Sequence, residues 1–119
     1  MDCNFKDGII RDGRSIGFGS VLGNIQGGII RKGSSSSLGS GDVVGNVKDG
    51  VIRESRSSSL GSGNAIGSVY REYVYKGTSS SAGSGTRIGQ VKDYTIPGME
   101  REKDEEMVAA YHFLVKKFL

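Results

Sequence analysis

Aliphatic residues recur along the chain in short runs with a fixed internal order. Each run reads aliphatic, glycine, polar, aliphatic, and copies occupy residues 22–25, 44–47, 66–69 and 88–91. Short runs rich in β-branched residues and bounded by turn residues are typical of β-strands. A glycine that never varies inside a strand indicates a bulge or a place where backbones approach too closely for a Cβ atom, which in a ring is near the axis.

These runs belong to a longer repeat with a period of about 22 residues. Residues 43–53 match residues 21–31 at nearly every position, and looser copies begin at residues 65 and 87. Residues 3–11 supply the end of the same pattern at the front of the chain. The sequence therefore predicts five similar units.

Each unit is predicted to be a β-hairpin, because two β-forming runs flank a short turn. The turns at residues 6–8 and 48–50 read Lys-Asp-Gly, and the turn at residues 26–28 reads Gln-Gly-Gly. Glycine adopts the positive φ of tight hairpin turns without steric cost. The turns at residues 70–72 and 92–94 lack this glycine, so we expect another geometry or a longer loop there.

The segments between hairpins also repeat. Residues 35–41, 57–63 and 79–85 share a Ser-Ser-Ser-Leu/Ala-Gly-Ser-Gly sequence, and residues 14–19 form a shorter version. A flexible linker would not keep this register. One apolar position is common to all four connectors, and we expect it to anchor each of them in the core: Ile16, Leu38, Leu60 and Ala82.

A single hairpin buries too little apolar surface to be stable, so neighbouring units must pack together. Repeated β units either stack in a row, which leaves exposed ends, or close radially as propellers do. The absence of a polar capping unit favours closure. The sequence thus predicts one all-β domain over residues 1–119, in which residues 1–97 form a flower- or propeller-like ring of five hairpins.

The pattern changes after Pro97 and Gly98. Acidic residues are concentrated in 100–106, and Lys116 and Lys117 stand near the end, as a helix dipole favours. Large apolar residues follow a helical stripe: Met107, Tyr111, Leu114 and Phe118. We expect residues 99–119 to form an amphipathic helix packed on an open face of the ring. A final strand over residues 109–115 is the alternative.

The repeat, with its aliphatic-Gly-polar-Val run, its turn glycine and its paired β-formers, resembles that of small bacterial proteins described as five-fold β-flower proteins. This resemblance covers residues 1–97 and implies a petal-like arrangement of five hairpins. It implies no activity that can be transferred to this chain.

Composition and charge narrow the remaining possibilities. The chain has 119 residues with 20 glycines, one proline and no tryptophan, and its net charge is +3. That charge permits an acidic partner, but the density of Lys and Arg does not favour nucleic acid. The start of the chain lacks the features of a secretion signal, and no segment reaches the ~18 apolar residues of a membrane span. We expect a cytoplasmic protein without a membrane span, and the sequence does not predict its oligomeric state.

Residues that carry chemistry are few. Cys3 is the only cysteine and His112 the only histidine, so neither a disulfide within the chain nor a site of paired thiolates can form. His112 has no carboxylate repeated beside it, and we interpret it as the edge of the helical stripe. The Gly-Ser-Gly segments lack the Gly-Lys-Ser/Thr sequence of a phosphate loop. We therefore predict no catalytic residue, no metal site and no cofactor.

The repeat offers one candidate contact for an anion. Arg11, Arg31 and Arg53 occupy equivalent positions, so a ring would present three guanidinium groups on one rim. Tyr75 and Pro97 replace the arginine in the last two units. The alternative without a ligand is that these exposed arginines keep the edges of the strands soluble. We expect a non-catalytic module that binds or scaffolds a protein or glycan, with a polyanion or glycan binder using these arginines as the alternative.

Overall fold

The computed structural model describes residues 2–119, and its main element is one antiparallel sheet of nine strands. The strands pair strictly in chain order, each with its sequence neighbours. Their bounds are β1 Cys3–Lys6, β2 Ile9–Asp12, β3 Ser20–Gln26, β4 Ile29–Lys32, β5 Asp42–Lys48, β6 Val51–Glu54, β7 Asn64–Tyr70, β8 Tyr73–Lys76 and β9 Thr86–Gln90. The all-β class and the repeated hairpins are therefore confirmed.

The predicted closed ring is wrong, because the sheet is open. Strands β1 and β9 lie at its two edges, and within residues 2–119 they do not pair with each other. One backbone hydrogen bond, from the Phe5 N–H to the Pro97 carbonyl at 2.8 Å, links the first strand to the segment after the last. The fifth hairpin does not form, since Val91–Tyr94 is a 3-10 helix and Pro97 has no N–H to give to a ladder. The repeat yields four hairpins and a single ninth strand.

The hairpin turns require residues that tolerate a positive φ, which explains why similar turn sequences recur. Asp7 and Gly8 have φ values of 50° and 86°, and Asp49 and Gly50 have 52° and 81°, which are the two positive angles of a type I′ turn. The fourth turn keeps the same two-residue length, with Arg71 at a φ of 59°. Of the two alternatives expected there, the longer loop does not form, but the different geometry does, because Glu72 lacks the second positive φ of a type I′ turn.

Every repeat contributes one fully buried β-branched residue to a common core. The five residues are Ile10, Ile30, Ile52, Val74 and Ile96. Met99, Val108 and Ala109 belong to the same hydrophobic cluster, so the C-terminal segment completes the core.

The C-terminal helix is present but shorter than predicted. Helix α1 spans Asp104–Ala110 and continues into a π-helical turn over Tyr111–Val115, called the π turn below. Its wider hydrogen bond joins the Lys116 N–H to the Tyr111 carbonyl at 2.9 Å. Residues 99–103 and 116–119 lie outside the helix, and the alternative strand over 109–115 does not form.

The invariant glycines mark where the C-terminal segment crosses the sheet. Gly23, Gly45 and Gly67, called the glycine row below, are buried under side chains of that segment. A Cβ atom on Gly23 would lie 2.7 Å from Leu114, and one on Gly67 would lie 2.7 Å from Leu119. A Cβ atom on Gly45 would overlap the Phe113 ring. The predicted close approach of backbones is confirmed, because Cβ atoms on these glycines would also overlap the carbonyl oxygens of Arg31, Arg53 and Tyr75 on the paired strands. The predicted place near a ring axis is wrong, because the sheet is open and the C-terminal segment covers these glycines.

Buried asparagines hold the connectors in place. The Asn46 side chain donates to the Ser62 carbonyl at 3.0 Å and accepts from the Gly61 N–H at 3.0 Å, and Asn24 does the same with Ser40 and Gly39. We call this pair of bonds the asparagine clasp. None of the four predicted apolar anchors belongs to the core cluster: Ile16, Leu38 and Leu60 are 43–45% exposed, and Ala82 is half-buried. Polar side chains of the strands, not apolar side chains of the connectors, fix these loops.

Candidate functional site

A cleft of about 610 Å³ lies between the ends of three strands and the C-terminal segment. One wall comes from β4 to β6 and the residues just after β6; the other comes from the π turn and the two lysines that follow it. The lining residues are Lys32, Val43, Val44, Glu54, Ser55, Arg56 and 112–117.

The glycine row brings these two walls together. Because Gly23 and Gly45 have no side chains, Leu114 and Phe113 of the π turn can lie directly on the sheet. The π turn ends at Val115, and the chain becomes extended at Lys116. Lys116 and Lys117 are thereby placed beside the cleft. Single π-helical turns occur frequently at functional sites, which draws attention to this wall.

The cleft is positively charged. Four cations and one carboxylate line it: Lys32, Arg56, Lys116 and Lys117, and Glu54. Within residues 2–119 the only ion pair joins Arg14 to Asp2 at 2.9 Å, outside this cleft. The four cations therefore keep their charge available for a ligand, and low-dielectric walls strengthen the field between them.

His112 lies in the wall of the cleft, and its side chain is 2% exposed. Its Nδ1 accepts hydrogen bonds from the Phe118 and Leu119 N–H groups, both at 3.0 Å. A nitrogen that accepts carries no proton, so the neutral ring must carry its proton on Nε2. Nε2 is buried and has no hydrogen-bond partner within the described residues. The ring thus fixes the C-terminal tail and leaves one donor unused.

Burial lowers the pKa of His112 to about 4, and the positive charge of Lys117 acts in the same direction. In the unfolded chain the imidazole takes up its proton near its ordinary pKa of 6.5. Between these two values the unfolded state binds more protons than the folded state. Stability contributed by the neutral ring is therefore complete above about pH 6.5 and is lost as the pH falls towards 4.

We expect the free energy of unfolding to fall by about 2 kcal/mol between pH 7 and pH 5 because of His112 alone. Urea unfolding measured at both pH values checks this. His112→Asn is the matched control, since its amide oxygen can still accept the tail N–H groups but does not titrate. An equal loss in wild type and His112→Asn would show that other groups cause it.

The three arginines predicted as anion contacts lie outside the cleft. They occupy equivalent positions on β2, β4 and β6, which are spaced at about 10 Å intervals as alternate strands of a sheet. Arg11 and Arg53 each donate to a connector carbonyl, that of Gly19 at 3.1 Å and that of Gly63 at 3.2 Å. The open sheet does not gather them on a rim. Their role in anion contact stays a prediction, without the ring that motivated it.

Cys3 is buried, and burial raises the pKa of its thiol. It lines a smaller cleft of about 350 Å³ together with Asp2, Arg14, Thr95 and Pro97. A raised pKa opposes formation of the nucleophilic thiolate. Across residues 2–119 no three His, Cys, Asp or Glu side chains converge as metal ligands do.

The sequence pattern predicted other roles for the cleft residues. Lys116 and Lys117 were expected to end a helix, and Arg56 belongs to a connector whose fold was not predicted in detail. These cations are separated by about sixty positions, so spacing alone cannot unite them. The one signal in the sequence was the repeated glycine at positions 23, 45 and 67, which indicated a close approach at those strands but did not identify the C-terminal segment.

Comparison with family models, curated proteins and solved structures finds no match to this chain. No helix in residues 2–119 has the length and apolar character needed to cross a membrane.

Proposed function

We propose that this protein is a non-catalytic binding module that takes an acidic glycan in the cleft between β4–β6 and the π turn. One observation carries the proposal: within the described residues, four cations without ion-pair partners line one cleft together with a single carboxylate. Arginine and lysine are the usual partners of sulfate and carboxylate groups.

The other lining residues favour a sugar over a nucleic acid. Val43 and Val44 supply an apolar surface for the C–H face of a sugar ring, and the Ser55 hydroxyl and the Glu54 carboxylate can hydrogen-bond to sugar hydroxyls. The cations also form one compact group, whereas nucleic-acid binders usually spread theirs along an extended stripe.

The second candidate is binding of a polyanion by Arg11, Arg31 and Arg53. The observation in its favour is that these three side chains repeat at equivalent positions along the sheet. Two of them already donate to connector carbonyls, which leaves fewer donors for a ligand.

A matched pair of triple variants separates the two candidates. Arg56, Lys116 and Lys117→Gln removes three charges from the cleft, and Arg11, Arg31 and Arg53→Gln removes three charges outside it. We measure the NaCl concentration that elutes each protein from immobilised heparin. The cleft variant is expected to lose most of its retention, because each lost cation removes an electrostatic contact, and the other variant is expected to lose little.

The reverse result would replace the proposal with the arginine candidate. Equal losses in both variants would show that net charge alone governs retention, and this would refute a specific cleft. Competition by single-stranded DNA as strong as that by a heparin tetrasaccharide would contradict the assignment to glycans.

A further inference from the structure

The unused donor of His112 adds a specific feature to the proposed site, and the inference drawn from it rests on the proposed function. Buried polar groups in folded proteins nearly always have a partner, so an orphaned N–H calls for an explanation. His112 Nε2–H is such a group, and the residue that carries it lines the basic cleft.

The tail fixes the orientation of the ring. The Phe118 and Leu119 N–H groups bind Nδ1 from one side, and the Phe113 and Phe118 rings contact the imidazole edge-on, with centroid distances of 4.8 and 5.2 Å. A ring held in this way cannot flip to exchange its two nitrogens without breaking both bonds. The Nε2–H is therefore a donor with a set direction.

The charged residues near the ring that belong to the C-terminal segment are both cations. Lys117 lowers the pKa of His112, and Lys116 lies beside it in the cleft wall. On the sheet side the cleft presents Lys32, Glu54 and Arg56. A neutral N–H among cations suits an acceptor that carries negative charge.

We propose that His112 Nε2–H is the specificity-determining donor of the cleft and binds an oxygen of the glycan's sulfate or carboxylate group. Lys116, Lys117 and Arg56 supply attraction without fixed geometry, and the imidazole supplies direction. Because Nε2 is buried, the oxygen reaches it only after the side chains that cover it move aside.

Two substitutions separate the two nitrogens of the ring. His112→Asn places an acceptor near the position of Nδ1 and removes the Nε2 donor, whereas His112→Gln places an amide N–H near Nε2 and gives up the Nδ1 acceptor. We measure the Kd of a heparin tetrasaccharide by calorimetry and the hydrogen exchange of the Phe118 and Leu119 amides by NMR. We expect His112→Asn to keep amide protection but bind about tenfold more weakly, the effect of one lost hydrogen bond. His112→Gln should bind closer to wild type and lose the protection.

Wild-type affinity in a folded His112→Asn protein would overturn the inference. A different result would refute the proposed function: the Arg56, Lys116 and Lys117→Gln protein would bind as tightly as wild type. A measurement on the unmutated chain covers the case in which His112→Asn does not fold. In protein labelled with 15N-histidine the single Nε2–H resonance should move downfield when the tetrasaccharide is added, and an unchanged resonance at saturation would contradict the proposal.

Discussion

Replacing Gly45 by alanine is expected to lower the free energy of unfolding by about 3 kcal/mol, as overpacking at a rigid site does. The added Cβ atom would lie 2.5 Å from the Arg53 carbonyl oxygen and would overlap the Phe113 ring. The carbonyl belongs to the paired strand β6 and cannot move far, so the π turn must lift from the sheet. Urea unfolding measures the loss, and heparin retention should fall with it because Phe113 also lines the cleft.

The equivalent glycine of the fifth unit provides the control. A Cβ atom on Gly89 would meet the Tyr94 hydroxyl at 3.1 Å and the Asp93 carboxylate at 3.2 Å, so these side-chain ends need to shift by only a few tenths of an ångström. Gly89→Ala should therefore cost less than about 1 kcal/mol. Equal effects at Gly45 and Gly89 would show that strand glycines matter for some reason other than the segment that covers them.

The asparagine clasp is the second feature with a large expected effect. Asn46→Leu keeps the size of the side chain but leaves the Gly61 N–H and the Ser62 carbonyl without their partners. We expect a loss of about 3 kcal/mol in unfolding free energy, from two buried or half-buried groups that lose their bonds. Amide exchange in the connector at residues 55–63 should speed up most.

The chain contains its own intermediate case for this prediction. In the fourth repeat Ser68 takes the place of the asparagine and accepts one bond, from the Gly83 N–H at 3.0 Å. Asn46→Ser should therefore lose about half as much stability as Asn46→Leu. If both substitutions cost under about 0.5 kcal/mol, the connectors are held by something other than the clasp.

Local features of the fold could be predicted from the sequence because each has a short-range cause. The Asp-Gly and Gly-Gly turns require positive φ and lie between β-forming runs, so three of the four hairpins follow from residues within one repeat. The fourth hairpin has Arg71 and Glu72 in its turn, and only its similarity to the other repeats predicted it. The long-range outcome could not be predicted in the same way. Whether the sheet closes depends on the fifth unit, where Asp93 and Tyr94 form a 3-10 turn in place of a hairpin.

The candidate site was not predicted for a related reason. Arg56 and Lys116 line the same cleft only because the C-terminal segment crosses the glycine row. The direction of that crossing is set by tertiary packing. The apolar stripe showed that Met107 and Leu114 would be buried, and both are. It did not show that the helix would widen into a π turn at Tyr111, which places His112 in the wall of the cleft.

The most direct test of the central claim is to map a heparin tetrasaccharide onto the 15N-labelled protein by amide chemical shifts. If the C-terminal segment turns the sheet into a binding cleft, the largest shifts will fall at residues 54–56 and 112–117, on both walls at once. Shifts centred on Arg11, Arg31 and Arg53, or spread evenly over the surface, would contradict the account.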